Sequence, residues 1–220
     1  VMHSNAVSVI SDAMPLLLKG LWWTAALSAL SIAFATVIGV IVGLMRISGN
    51  IVVRGISTVY VNVFRCTPLL VQILFLYFGL PELLNFSWSP EVAGVATLSL
   101  NIGAYVGEVV RGGVQAIGRG QTEAGRAIGL SRGLTMRLVV LPQAFRQVIP
   151  SYINQCTICV KDSSLLSVIG VAELTMRGES IYSANFQAFP ILAAMGALYF
   201  VVNYVLTLAS RIVERRVSIA

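Results

Sequence analysis

Leu21–Met45 reads LWWTAALSALSIAFATVIGVIVGLM, a run without one charged residue. A helix needs about 20 mostly apolar residues to cross the hydrocarbon core of a bilayer, so this stretch is expected to be a transmembrane helix, entered from Pro15. The signal recurs along the chain. Gly55–Leu80 is a second candidate span, interrupted only by Arg65. Val92–Val110 is a third, with Glu108 near its end. Leu138–Val160 is a fourth, made irregular by Pro142, Arg146 and Pro150, and Lys161–Leu174 continues it. The charge-free stretch Ile181–Ser210 holds the last span. The expected fold is all-α, an integral membrane bundle of about five transmembrane helices, with residues 1–220 as a single transmembrane domain.

Composition agrees. Of the 220 residues 57% are hydrophobic and 11% charged, and the mean hydropathy is +0.85. Soluble domains carry about 25% charge, so much of this surface is expected to face lipid. The net charge of +6 does not point to nucleic acid, because no basic stripe is interleaved with stacking aromatics on a soluble face. Membrane topology accounts for it instead. Arg46 and Arg54 fall between spans one and two. Arg111, Arg119, Arg126, Arg132, Arg137 and Arg146 fall between or beside spans three and four, and Arg211, Arg215 and Arg216 close the chain. All of these lie on one side of a five-span bundle. Only Lys19 and Arg177 lie on the other, where Asp12, Glu82, Glu91, Glu173 and Glu179 also fall, while Arg65 and Lys161 sit at membrane depth. Lys and Arg concentrate in cytoplasmic loops, so the N-terminus is expected outside and the C-terminus in the cytoplasm. No basic leader with a short apolar run and a cleavage site opens the chain, so no cleavable signal is expected.

Several chemistries are disfavoured. His3 is the only histidine, which leaves no histidine-based metal site or triad. Three cysteines make no disulfide framework, and Cys156 and Cys159 read as small thiols one helical turn apart in an apolar segment. A P-loop needs Gly-Lys-Ser/Thr. The only lysines, Lys19 and Lys161, come after Leu18 and Val160, so no P-loop is present and any ATP-driven motor must be another chain. No cofactor and no metal are expected. Gly39 and Gly43, a G-x-x-x-G pair in span one, read as a packing surface. No internal repeat is evident, and five spans make half a pathway, so a dimer is expected.

The most polar part of the chain is the loop of residues 111–137, which leads into the fourth span. Gly118–Gln143 reads GRGQTEAGRAIGLSRGLTMRLVVLPQ. A short amphipathic helix is expected, with Ala124, Ala127, Ile128 and Leu130 as a small apolar face, Thr122 as N-cap, and Gly129 at the C-terminus, where glycine adopts a left-handed conformation cheaply. Such a helix can insert into a groove on a partner or lie on lipid headgroups held by arginines. The pattern alone leaves both open.

The segment Glu123-Ala124-Gly125, with Gly129 and Leu141-Pro142, resembles the coupling motif of ABC importer permeases, with Gly125 in place of a second alanine. Phe64–Pro81 (FRCTPLLVQILFLYFGLP) is similar to the F-R-G-T-P-L-L-V-Q stretch of the polar-amino-acid subfamily, with Cys66 where that family usually has glycine. Lys161–Leu174 (KDSSLLSVIGVAEL) resembles its K-D-T-S-L stretch. The resemblance implies a type I ABC importer permease fold and a transmembrane subunit that moves a polar amino acid into the cytoplasm across the bacterial inner membrane. It also implies the partners: a second permease subunit, identical or not, two cytoplasmic ATP-binding subunits, and an extracytoplasmic amino-acid-binding protein. Glu123, Ala124, Gly125, Ala127, Gly129, Leu130 and Pro142 would then serve coupling to the ATPase.

Ionisable residues inside spans usually face a cavity or each other, and an amino-acid zwitterion needs both donors and acceptors. Candidate substrate contacts are therefore Arg65, Gln72, Asn101, Tyr105, Glu108, Lys161, Asp162 and Ser163. Asn101, Tyr105 and Glu108 share one helical face, as do Arg65 and Gln72. Alternatively Arg65 pairs with Glu108 or Asp162 to hold the bundle, and Lys161 snorkels to an interface. A competing reading of the whole chain is a proton- or ion-coupled secondary carrier or channel subunit using Glu108 or Asp162. A membrane enzyme is a third, disfavoured by the lack of a His or acidic cluster.

Overall fold

A computed structural model describes residues 6–218, with side chains through Ile212, and every regular element in that range is helical. His3 and the side chains of Arg215 and Arg216 lie outside the described residues.

The first span opens far earlier than its apolar run. α1 runs Ala6–Arg46, through Pro15. At 1.5 Å per residue it is about 60 Å long, twice the ~30 Å hydrocarbon core. Its first turns pack through Ala13 and Leu17 against Leu174, Ile191 and Met195. α5, Pro90–Gln115, starts on Pro90 with Ser89 as N-cap and is the central helix, burying Leu98, Ile102 and Val106 among others. α1 and α5 meet through facing glycines. A Cβ on Gly43 would stand 2.6 Å from Val110, on Gly103 2.8 Å from Ile38, and on Gly107 2.9 Å from Val42. The G-x-x-x-G pair is thus a packing surface, met by a second such pair on α5.

The second span is not continuous. α2, Ile51–Cys66, is capped by Asn50, and α3, Leu69–Leu74, continues through a π-turn (Phe75–Gly79) into α4, Leu80–Leu84. The two arms meet at 108°. Pro68 excludes the residue before it from helical geometry, and Thr67 is extended at φ −114°, ψ 146°. Arg65 and Gln72 therefore lie on different helices, not on one face.

α6 (Arg119–Ala127) and α7 (Arg132–Thr135) come next, then a π-turn over Met136–Val140 and α8, Leu141–Asp162. A 3₁₀ segment, Ser163–Ile169, leads to α9, Leu174–Asn185, and α10, Ala188–Ser218. The expected last span, Ile181–Ser210, is split where Phe186 turns left-handed at φ 56°. Among the described residues α1, α5 and α10 are long and apolar enough to cross a membrane, and α2 with α3–α4 is a fourth such unit if the bent pair counts as one span. α8 occupies the expected fourth span but carries Gln143, Arg146, Gln147, Asn154 and Gln155, which make it more polar.

The ends of the bundle separate as the charges do. Ile47, Val114, Ile117, Val140 and Leu141 form one apolar cluster, which gathers the arginine-rich loops at one end. At the other, Glu173 lies in the connection before α9, as expected of an outer-loop residue, but is wholly buried. It caps α9 by accepting from the Thr175 and Met176 amides at 2.9 Å each, and it binds the Tyr199 hydroxyl at 2.8 Å and that of Thr24 at 3.3 Å. One carboxylate ties α1, α9 and α10.

Candidate functional site

Breaking a helix frees carbonyls that need donors. At the Thr67–Pro68 break Gln72 supplies them. Its Nε2 donates to Phe64 O at 2.8 Å, Thr67 Oγ1 at 2.7 Å and Thr67 O at 3.1 Å. Asn101 on α5 completes the brace, donating to Gln72 Oε1 at 2.9 Å and Phe64 O at 3.3 Å. Gln72 is thus committed to the break, while Asn101 braces with its amide nitrogen and still borders open space.

That space is a cavity of about 250 Å³ lined by Thr67 and Leu69 at the break, Asn101 and Tyr105 on α5, Gln155, Ile158 and Asp162 on α8, and Leu165 beyond it. It is slightly below the ~300 Å³ floor of ordinary small-molecule sites. One carboxylate, two side-chain amides and two hydroxyls face an otherwise apolar wall. Such a wall accepts from an ammonium group and donates to a carboxylate or amide.

Three expected cavity residues, Asn101, Tyr105 and Asp162, meet here. Lys161 is exposed and Ser163 is buried, donating to Val160 O at 2.9 Å, and neither lines the cavity. Sequence reasoning missed Gln155, whose signal was a polar residue two turns before Asp162 on the same helix. Glu108 lies one turn beyond Tyr105, and its carboxylate is taken by arginines. Arg46 Nε stands 2.8 Å away, Arg65 Nη1 3.3 Å and Arg111 Nη2 2.9 Å. The Arg65 guanidinium also lies 5.3 Å from the Tyr105 ring centre, within cation–π reach.

The second candidate site is α6. It ends as expected: Gly129 is left-handed at φ +86°, Leu130 N donates to Gly125 O at 3.2 Å and Gly129 N to Arg126 O at 3.0 Å, a Schellman termination. Its start differs. Gly118, not Thr122, occupies the N-cap, and Thr122 lies inside the helix. Gly125 is the one buried residue of α6, and a Cβ there would stand 2.7 Å from Thr135 Cγ2. The glycine lets α6 rest on α7. Glu123, Ala124, Ala127 and the C-cap Ile128 are exposed, Ile128 by 77%. Leu130 is half-buried, and Pro142 opens α8 directly after the π-turn. Glu123 takes part in no ion pair among the described residues. α6 is therefore a stiffly terminated helix seated on its small side with an apolar, acid-bearing face outward.

Known proteins share this architecture. Residues 35–219 match the model of the binding-protein-dependent transport system inner membrane component family. The glutamine transport system permease protein GlnP of Escherichia coli (strain K12) is 42% identical over 213 residues, 96% of this chain and 97% of that protein. The arginine transport system permease protein ArtQ of Bacillus subtilis (strain 168) is 35% identical over 93% of this chain and 94% of its own length. Among solved structures, an amino acid ABC transporter crystallised with histidines superposes with a TM-score of 0.92 at 33% identity, covering 98% of this chain and 100% of that one. The MetNI methionine ABC transporter, at 23% identity and a TM-score of 0.80, covers 94% of this chain and 98% of its own and shares the fold.

Proposed function

The chain belongs to the family of binding-protein-dependent transport system inner membrane components, and from that premise we propose how it works as the membrane subunit of an ABC importer. Its cargo is a polar amino acid, carried into the cytoplasm and driven by ATP hydrolysis on a separate chain. It holds no nucleotide itself and catalyses no reaction. The relatives named for glutamine and arginine transport support this cargo class, and so does the cavity's chemistry. In this reading Asp162, which lines the cavity, accepts from the cargo ammonium. Gln155 and the Thr67 and Tyr105 hydroxyls offer donors, and Asn101 shapes the wall through its brace.

The assembly we infer holds two permease subunits, two cytoplasmic ATP-binding subunits and an extracytoplasmic binding protein, in the bacterial inner membrane. Its N-terminus is outside and its C-terminus cytoplasmic. The gathering of the arginine-rich loops at one end of the bundle supports that orientation.

One observation carries the coupling: α6 presents Glu123, Ala124, Ala127 and Ile128 outward on a rigid seat. An apolar residue 77% exposed at the arginine-rich end fits a helix-in-groove contact, through which ATP-driven closure of the partner moves the spans. Glu123→Lys tests it. The variant is expected to insert and dimerise normally but to lose co-purifying ATPase and ATP-driven uptake. Wild-type uptake in that variant contradicts the docking role.

A further inference from the structure

Every ion pair among the described residues converges on one carboxylate, Glu108. Three helices supply its partners: Arg46 is the last residue of α1, Arg65 stands at the end of α2, and Arg111 lies one turn along α5. The three contacts differ in kind. Arg111 holds both oxygens, through Nε at 3.0 Å and Nη2 at 2.9 Å, and Arg46, with a side chain 16% exposed, approaches to 2.8 Å. Those two belong to the α1–α5 pair, which packs closely through its facing glycines. Arg65 is the outlier, at 3.3 Å and 42% exposed.

Its helix is also the least buried of the three, tied to α5 by the Tyr60 hydroxyl donating to Leu100 O at 2.6 Å and by Asn101 donating to Phe64 O at 3.3 Å. Of sixteen residues in α2, only Ser57 and Val61 are buried. α2 ends at the extended Thr67, a loop-type position of the kind that absorbs backbone rotation in a hinge. The ring that Arg65 covers, Tyr105, lines the cavity. On the other side Arg111 donates to Gln115, the last residue of α5, three residues before Gly118 caps α6. Glu108 thus joins the cavity wall, the hinge of the broken span and the approach to α6.

We propose that Glu108 is a positioning residue whose ion pair with Arg65 latches α2 to the α1–α5 pair, and that this one pair opens and re-forms during each transport cycle while the Arg46 and Arg111 pairs stay closed. The inference rests on the importer reading. Coupling needs a two-state element that both sites bias. The hinge with its latch is that element: closed, Arg65 holds the Thr67 wall of the cavity; open, α2 keeps its neutral Tyr60 and Asn101 hydrogen bonds to α5 and loses the ionic one. A part-exposed pair contributes little static stability, which suits a contact that must break in every cycle.

The test uses the permease reconstituted with its ATPase and binding protein. It reads three quantities: cargo KM, ATP turnover without cargo, and cargo moved per ATP. Arg65→Gln leaves Glu108 paired with Arg46 and Arg111, so the fold is retained. ATP turnover without cargo is expected to rise about two- to fivefold, the range of one part-exposed ion pair. Cargo per ATP falls to match, and KM stays within about twofold. Arg65→Lys, which keeps the charge, is expected to restore most of the coupling. A raised KM with unchanged cargo per ATP overturns the latch, because Arg65 then belongs to the binding site. So does a Gln variant identical to wild type in all three readings, or a Lys variant that restores nothing. A wild-type complex that no polar amino acid stimulates overturns the importer reading itself, before any variant is compared.

Discussion

Gly129 holds φ at +86°, a conformation that costs other residues about 1–2 kcal/mol. Gly129→Ala is therefore expected to fray the end of α6. Hydrogen exchange at the Leu130 amide, which donates to Gly125 O, should accelerate by about tenfold, and an unchanged rate would mean that the helix end is held from elsewhere. Asp162 is the only carboxylate in the cavity wall. Asp162→Asn keeps the shape and removes the charge, so cargo KM should rise by about tenfold, the loss of one charge-assisted hydrogen bond, with little change in ATP turnover without cargo. At this scale sequence and structure part company over partners. Glu173 reads as a loop acid, yet it is buried because three helices bring hydroxyls and amides to it, Thr24 from 149 residues away and Tyr199 from 26. No local pattern carries that information.

The helices themselves were largely legible, because hydropathy and length decide them. The five expected spans are mostly helical, two of them broken, and three or four units among the described residues are long and apolar enough to cross a membrane; the Schellman end of α6 is set by one glycine. The bend in the second span was written in Thr67-Pro68, but a hydropathy reading passes through it since both arms are apolar. Thr122 failed as an N-cap because α6 starts a turn earlier, on Gly118. The brace at the bend gives the element-scale prediction. Gln72→Leu leaves the Thr67 carbonyl without its side-chain donor and the Phe64 carbonyl with Asn101 alone, a loss of about 1–3 kcal/mol. A lowered melting temperature of the purified permease in detergent checks this. Retained stability would show that Asn101 alone suffices.

For the whole molecule, the fold and the short helix α6 were readable in the sequence because they rest on local runs and motifs. The cavity was readable only in part, since it depends on how α5, α8 and the bend meet. That meeting separated Asn101, Tyr105 and Asp162 from Lys161 and Ser163, and moved Arg65 and Glu108 into an ion-pair cluster. What emerges is a chain with a small polar cavity near the break in its second span and an exposed, stiffly terminated helix, α6, at its arginine-rich end. The most direct test of this account is uptake into proteoliposomes containing the permease, its ATPase and its binding protein, with labelled polar amino acids, glutamine first. The account predicts uptake that requires ATP on the side of the ATPase, is blocked by vanadate and ignores a collapsed proton gradient. Uptake that proceeds without the ATPase and tracks the proton gradient would contradict it.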